Sequence, residues 1–174
     1  GTISLNQSRN NDAAMPYEIA PVFDMKDYKP GELPHEQPTL CIGAYGPDVD
    51  FYLVRDIVRD MLARFGVECD VVPGAEPYHH PGRAAKLMAG GKCLASVAEV
   101  HPQVMAAFDI TKRTVIAEVN LELLGEMRTP MGHVRALPKF PAVTRDIALV
   151  MDEATTVGSV LASIRKAGGA LLES

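Results

Sequence analysis

The chain has 174 residues, of which 47% are hydrophobic and 22% charged, a balance typical of a folded globular protein that excludes a disordered segment. Its formal net charge of −5 argues against a protein whose whole surface wraps nucleic acid. No apolar run approaches the roughly 20 residues of a membrane-spanning helix, and no leader opens the sequence, so we expect a cytoplasmic protein.

Hydrophobic periodicity predicts alternating strands and helices over residues 1–127. The first eleven residues resemble the end of a helix. The predicted strands, bounded by turn-forming residues, are Tyr17–Phe23, Thr39–Tyr45, Val67–Val72, Ala84–Met88, Cys93–Val100 and Thr114–Asn120. The predicted helices are Asp50–Gly66, Val104–Phe108 and Leu121–Met127.

The most regular helical pattern lies at Asp50–Gly66. Apolar residues recur there at spacings of three and four, as on one face of an amphipathic helix, while charged residues share the other face. Asp50 can accept hydrogen bonds from the free N–H groups at a helix start, and Gly66 ends the pattern. We therefore predict that the apolar face of this helix belongs to the hydrophobic core.

The stretch His79–Val104 is predicted to contain a β-hairpin. Its turn is Ala89-Gly90-Gly91-Lys92, in which the glycines tolerate positive φ. Two His-Pro steps, at His80 and His101, bracket the strands, because a residue before proline is pushed toward extended backbone.

Histidines in this hairpin are the first candidates for a metal or catalytic site, since histidine is a common metal ligand and acid-base group near neutral pH. No cysteine or carboxylate stands at ligand spacing from His79 and His80. Glu99 and His101 stand two residues apart on one face of a strand. They could form an acid-base pair, although such neighbours commonly only hydrogen-bond to each other.

The sequence lacks the motifs of the common catalytic sites. It has no glycine-rich phosphate loop, no nucleophile elbow and no paired Cys-x-x-Cys. The cysteines lie among apolar neighbours and are predicted to be buried thiols: Cys41, Cys69 and Cys93. We predict no catalytic residue, cofactor site or metal site in this chain. A hydrolase using His79 or His80 is an alternative that would need a pocket gathering several polar groups.

Residues 128–139 carry turn-forming pairs with proline or glycine and are predicted to be a linker. A second unit follows, with a strand predicted at Arg145–Asp152 and a helix at Thr155–Ala167. One strand and one helix cannot bury a core of their own, so residues 140–174 are expected to belong to a truncated domain.

Several stretches resemble one enzyme family in the family's own order. The runs His-His-Pro-Gly-Arg-Ala-Ala, Gly-Gly-Lys, Ala-Glu-Val-His-Pro-Gln-Val and Glu-Val-Asn-Leu-Glu-Leu-Leu resemble the core of the β subunit of bacterial-type phenylalanyl-tRNA synthetase. Phe140–Val150 resembles the opening of the ferredoxin-fold anticodon-binding domain that ends such subunits. Tyr17–Phe23 is similar to the strand of the second class II synthetase motif.

The resemblance implies an α+β fold with three parts. These are a class II synthetase-like antiparallel sheet flanked by helices over 1–127, a linker at 128–139, and the first strand and helix of a ferredoxin-like domain over 140–174. It also implies an α2β2 phenylalanine-tRNA ligase, whose α subunit activates phenylalanine with ATP and Mg²⁺ and transfers it to tRNA(Phe). The β core of the family is a catalytically silent relative that packs against α.

The residues agree with a silent core. An active class II site has an arginine directly after the strand of its second motif, because a fork of N–H donors matches phosphate geometry. Here Asp24 follows Phe23, and we find no glycine-rich third motif ending in Glu-Arg. The chain alone is therefore expected to bind no ATP and to form no adenylate.

The implied partners are the α subunit and tRNA(Phe). Basic residues of the second unit are candidates for tRNA contact: Arg145, Arg165 and Lys166. The alternative for them is solvation or pairing with neighbouring carboxylates, since isolated surface pairs contribute little. Apolar surface that α would cover should promote self-association of the isolated chain. A competing interpretation is a stand-alone protein-interaction module that reuses the core fold.

Overall fold

The computed structural model describes residues 1–24, 28–129 and 141–172. The helices are α1 Thr2–Ser8, α2 Phe51–Arg64, α3 Pro102–Ala107, α4 Leu121–Met127 and α5 Val157–Gly168. The strands are β1 Tyr17–Asp24, β2 His35–Tyr45, β3 Asp70–Pro73, β4 His79–Ala89, β5 Lys92–Val100 and β6 Thr114–Asn120. Over the described ranges, no helix is both long and apolar enough to cross a membrane.

The strands form one antiparallel sheet in the order β1-β2-β6-β5-β4-β3. This confirms the predicted mixed fold with helices flanking an antiparallel sheet. β6 and α4 have the predicted bounds, but β3 begins at Asp70 and not at Val67. Val67 instead donates its N–H to the Leu62 carbonyl at 3.1 Å, so it closes the end of α2 and is buried there.

The predicted hairpin is formed by β4 and β5. Gly90 and Gly91 have φ values of 53° and 77°, the left-handed region that both central residues of a tight hairpin turn require. Ala89 pairs with Lys92 across this turn. The register of β4 is irregular between His79 and Ala84.

Helix α2 fills one face of the sheet. The Asp50 carboxylate accepts a hydrogen bond from the Leu53 N–H at 2.8 Å, so the helix begins where the sequence predicts. Val54, Val58 and Leu62 are each 0% exposed. They share one hydrophobic cluster with inward-facing residues of four strands: Leu40, Ile42, Ala44, Leu87, Ala95, Val97, Val115, Ala117 and Val119.

The chain divides into two compact units, residues 1–133 and 134–174. The first unit holds the whole sheet. The linker predicted at 128–139 falls mainly outside the described residues, which end at Thr129 and resume at residue 141.

In the second unit the predicted helix forms and the predicted strand does not. Helix α5 begins with a hydrogen bond from the Ser159 N–H to Thr156 Oγ1 at 3.3 Å. Residues 141–152, which include the predicted strand Arg145–Asp152, have no strand or helix. A strand needs a hydrogen-bonding neighbour, and the described part of this unit supplies none.

Candidate functional site

The face of the sheet opposite α2, which we call the open face, carries a row of polar residues across three strands. Glu18 pairs with Cys41, and Cys41 pairs with Glu118. Directly opposed residues point to the same side of a sheet, and these alternate with the core residues Ile42 and Ala117, so they point away from α2. Two carboxylates therefore flank one thiol on the open face.

The loop between β3 and β4 lies over part of the open face. The Tyr78 hydroxyl donates a hydrogen bond to the Glu118 carboxylate at 2.7 Å. Lys86 Nζ lies 2.8 Å from a Glu76 oxygen. Partial burial, followed by the hydrogen bond to Glu118, raises the pKa of the Tyr78 phenol well above its ordinary value. The chain's own loop thus occupies this end of the open face.

The two carboxylates of the row affect the thiol that lies between them. Partial burial, followed by Glu118 and Glu18, raises the pKa of the Cys41 thiol. Cys41 and Cys93 nevertheless have exposed side chains, so the prediction of buried thiols is wrong for these two. Cys41 alternates with core residues and points to the open face, while Cys93 lies beside the hairpin turn.

The histidines of the hairpin make backbone contacts. His79 is 2% exposed, and its Nδ1 accepts the Glu76 N–H at 3.0 Å; His80 accepts a backbone N–H in the same way. His101 Nδ1 accepts a backbone N–H at the start of α3, so the alternative Glu99–His101 pair does not form. Among the described residues, no group of three or more His, Cys, Asp or Glu side chains could hold a metal ion.

A cleft of about 940 Å³ opens between the start of α2 and the strands β3 and β4. Glu99, only 5% exposed, lines it. Arg83 Nη1 donates to Glu99 Oε2 at 2.7 Å, and Arg113 Nη1 lies 3.7 Å from Glu99 Oε1. We call this the arginine cleft. No sequence motif predicted this group, because only the pairing of β4, β5 and β6 brings the three residues together.

The residues predicted to contact tRNA all lie in the second unit. Arg165 and Lys166 are in the last turn of α5, and Arg145 lies in the segment before that helix. All three are exposed. Within residues 1–24, 28–129 and 141–172, none of them forms an ion pair. Their contact with tRNA stays a prediction.

Residues 1–121 match the family model of the phenylalanyl tRNA synthetase beta chain CLM domain. The phenylalanine–tRNA ligase beta subunit of Clostridium acetobutylicum is 34% identical over 99% of this chain and 22% of the relative. That of Clostridium tetani is 36% identical over 98% and 22%, and that of Bacillus subtilis 34% over 99% and 23%. The chain spans about a fifth of the length of these relatives.

Among solved structures, the pyrrolysyl-tRNA synthetase from Desulfitobacterium hafniense superposes with a TM-score of 0.57 at 19% identity. The match covers 72% of this chain and 46% of that one. A second structure of the same synthetase gives a TM-score of 0.56. At this identity the likeness shows the fold alone, and it confirms the class II synthetase-like part of the predicted fold but not its ferredoxin-like continuation.

Proposed function

The chain belongs to the phenylalanyl-tRNA synthetase β-chain family, and on this premise we propose that it is the non-catalytic core region of the β subunit of an α2β2 phenylalanine-tRNA ligase. In this enzyme the α subunit activates phenylalanine with ATP and Mg²⁺ and transfers it to tRNA(Phe). The region described here supports the assembly. ATP and Mg²⁺ serve the whole enzyme, this chain holds neither of them as a cofactor of the ligase reaction, and the enzyme works in the cytoplasm.

The observation that carries the non-catalytic role is the charge of the open face. Because helix α2 packs over the middle of the other face, a nucleotide bound over the middle of the sheet would have to lie on the open face, on the row that contains Glu18 and Glu118. Carboxylates repel a triphosphate, and the row offers no guanidinium fork to offset them. Lys86, two strands further along the sheet from Glu118, is already paired with Glu76. The side chain of Asp24 lies outside the described residues, so the inference drawn from it stays a prediction.

Exposed apolar side chains support the assembly role. On the edge strand β1, Tyr17 is 73% exposed, Ile19 61%, Val22 52% and Phe23 55%. Tyr17, Ile19 and Phe23 share one face of the strand, and Val22 lies on the other. Large exposed apolar side chains at a sheet edge are typical of a surface that another polypeptide covers. We propose the α subunit as the partner, with self-association of the chain in its absence.

The proposal extends to tRNA contact by the second unit. We propose a core over 1–127, a linker over 128–139 and part of a ferredoxin-like anticodon-binding domain over 140–174. Relatives match over nearly the whole chain and not only over residues 1–121, which supports a shared second domain. The exposed cations of this unit would contact tRNA phosphates: Arg145, Arg165 and Lys166.

Phenylalanine-dependent exchange of pyrophosphate into ATP tests the division of labour. It is measured on this chain, on the matching α subunit and on the two together, while sedimentation follows complex formation. We expect exchange only in samples that contain α, and a complex between the two polypeptides.

Two outcomes would contradict the proposal. Exchange by the chain alone would show that the acidic open face does not prevent adenylation. Absence of any complex with α would favour a stand-alone interaction module that reuses the synthetase fold.

A further inference from the structure

The arginine cleft lies on the α2 side of the sheet, away from the open face, and the proposed assembly role does not use it. Glu99 follows the core residue Val97 on the same side of β5, and it pairs in register with Val115 on β6. We propose that the arginine cleft binds a nucleotide, with the phosphate on Arg83 and Arg113 and the base against Tyr52.

The two guanidinium groups of the cleft share one buried carboxylate. The Glu99 side chain is 7% exposed, whereas those of Arg83 and Arg113 are each 54% exposed. Arg83 donates through Nη1 to Glu99, and Arg113 donates through Nη2 to the Val49 carbonyl at 3.1 Å. A guanidinium carries further N–H donors. The charge of Glu99 is therefore buried, and the two guanidinium groups are the charged groups that a ligand meets at this end of the cleft.

A second carboxylate lines the cleft but is already engaged. Asp50 accepts the Leu53 N–H at the start of α2. The partial positive charge of a helix N-terminus offsets a carboxylate at this position. Asp50 therefore does not cancel the attraction between the two arginines and an anion.

The rest of the cleft wall is apolar and aromatic: Phe51, Tyr52, Val71, Pro73 and Pro81. Tyr52 is 61% exposed, and the Arg55 guanidinium lies over its ring, with Cζ 4.9 Å from the ring centroid. Exposed aromatic rings beside guanidinium groups form the platforms on which proteins stack bases. The volume of about 940 Å³ lies within the roughly 300–1,000 Å³ range of small-ligand sites. A side-chain carboxylate of another protein could pair with the two arginines, but it would leave the aromatic wall without a contact. A nucleotide contacts both parts of the cleft, because its phosphate is joined to a base.

A phosphate joined to a base occurs in two kinds of ligand, a free mononucleotide and a single-stranded RNA. The test is a titration of the isotope-labelled 174-residue chain with AMP, adenosine, inorganic phosphate and a short single-stranded RNA, followed by NMR chemical shifts. We expect AMP and the RNA to shift signals of residues 50–52, 71–75 and 81–85, and adenosine and phosphate each to bind more weakly than AMP.

Variants are chosen so that the fold is kept. Arg113→Lys retains the charge but loses the planar fork, and Tyr52→Ala removes an exposed ring; each should weaken AMP binding about tenfold. Glu99→Gln frees the guanidinium groups from their carboxylate and should tighten AMP binding. Arg64→Ala, at an exposed arginine at the other end of α2, is the matched control and should change nothing.

Each result of the titration either supports or overturns the proposed nucleotide site. Binding of AMP and of RNA with this order of variants establishes the site, and tighter binding of RNA identifies a strand as its natural source. The inference is overturned if neither AMP nor the RNA binds, or if Arg64→Ala weakens AMP binding as much as the cleft variants do. It is also overturned if an acidic peptide binds in the cleft and the nucleotides do not. These measurements need no α subunit, so their failure would leave the proposed assembly role untouched.

Discussion

Helices α2 and α5 are built on the same sequence pattern but differ in what their apolar faces meet. Both begin with a capping side chain, Asp50 for α2 and Thr156 for α5. In α2 the apolar face is 0% exposed at Val54, Val58 and Leu62. In α5 no described residue is buried, and Leu161 is 45% exposed.

The difference separates helix formation from helix burial. A cap and an apolar spacing of three and four are local properties, and both helices have them. Burial depends on a partner surface that other segments must supply. For α2 the sheet supplies it, and each fully buried aliphatic side chain stabilises the fold by about 1.5–3 kcal/mol. The described part of the second unit supplies no strand for α5 to cover.

Truncation of one leucine in each helix should give the largest contrast. Leu62→Ala should lower the free energy of unfolding of the first unit by about 2–5 kcal/mol, because it opens a cavity in a packed core. Leu161→Ala should change it by less than about 0.5 kcal/mol, as expected for an exposed site. All tyrosines of the chain lie within residues 1–133, so urea unfolding followed by tyrosine fluorescence reports on the first unit alone. Equal losses for the two variants would mean that α5 is part of the same core.

The local elements were predictable and the site was not. Local signals in the sequence predict three elements: a capping residue and apolar spacing predict α2, two glycines predict the β4–β5 turn, and alternation of apolar residues predicts β6. Each signal spans only neighbouring residues. The meeting of Arg83, Glu99 and Arg113 depends on the register of three strands, which no local pattern contains. The strand expected at Arg145–Asp152 shows the same limit, because the β pattern is present while the neighbour that would pair with it is not among the described residues.

Removal of the two caps should give a smaller contrast. Asp50→Ala leaves the first N–H groups of α2 without their acceptor and should cost the first unit about 1 kcal/mol. Thr156→Ala should lower the helical circular dichroism of the whole chain by the share that α5 contributes, and it should leave the tyrosine transition unchanged. Asp50→Asn, which keeps an acceptor oxygen at the cap, is the control and should retain most of the stability. A shift of the tyrosine transition by Thr156→Ala would contradict the separation of the two units.

Titration of His79 should give the smallest difference in stability between the two units. Only the first unit contains this histidine, and its effect on stability comes from the binding of one proton. Burial lowers the pKa of His79 below its ordinary value, while Glu118 and Glu76 oppose that shift and Lys86 adds to it. The unfolded chain therefore takes up a proton at higher pH than the folded chain does, and the first unit loses stability as the pH falls through about 6.5.

The physical reason is the acceptor role of Nδ1. The neutral ring accepts the Glu76 N–H at 3.0 Å, and a doubly protonated ring has no lone pair with which to do so. The urea midpoint of the tyrosine transition, compared between pH 7.5 and 5.5, should fall further in the unmodified chain than in His79→Gln, whose amide oxygen can accept the same N–H without titrating. The backbone amide NMR signals of α5 should show no such step, because residues 141–172 contain no histidine. Equal slopes for the chain and for His79→Gln would assign the pH dependence to other groups.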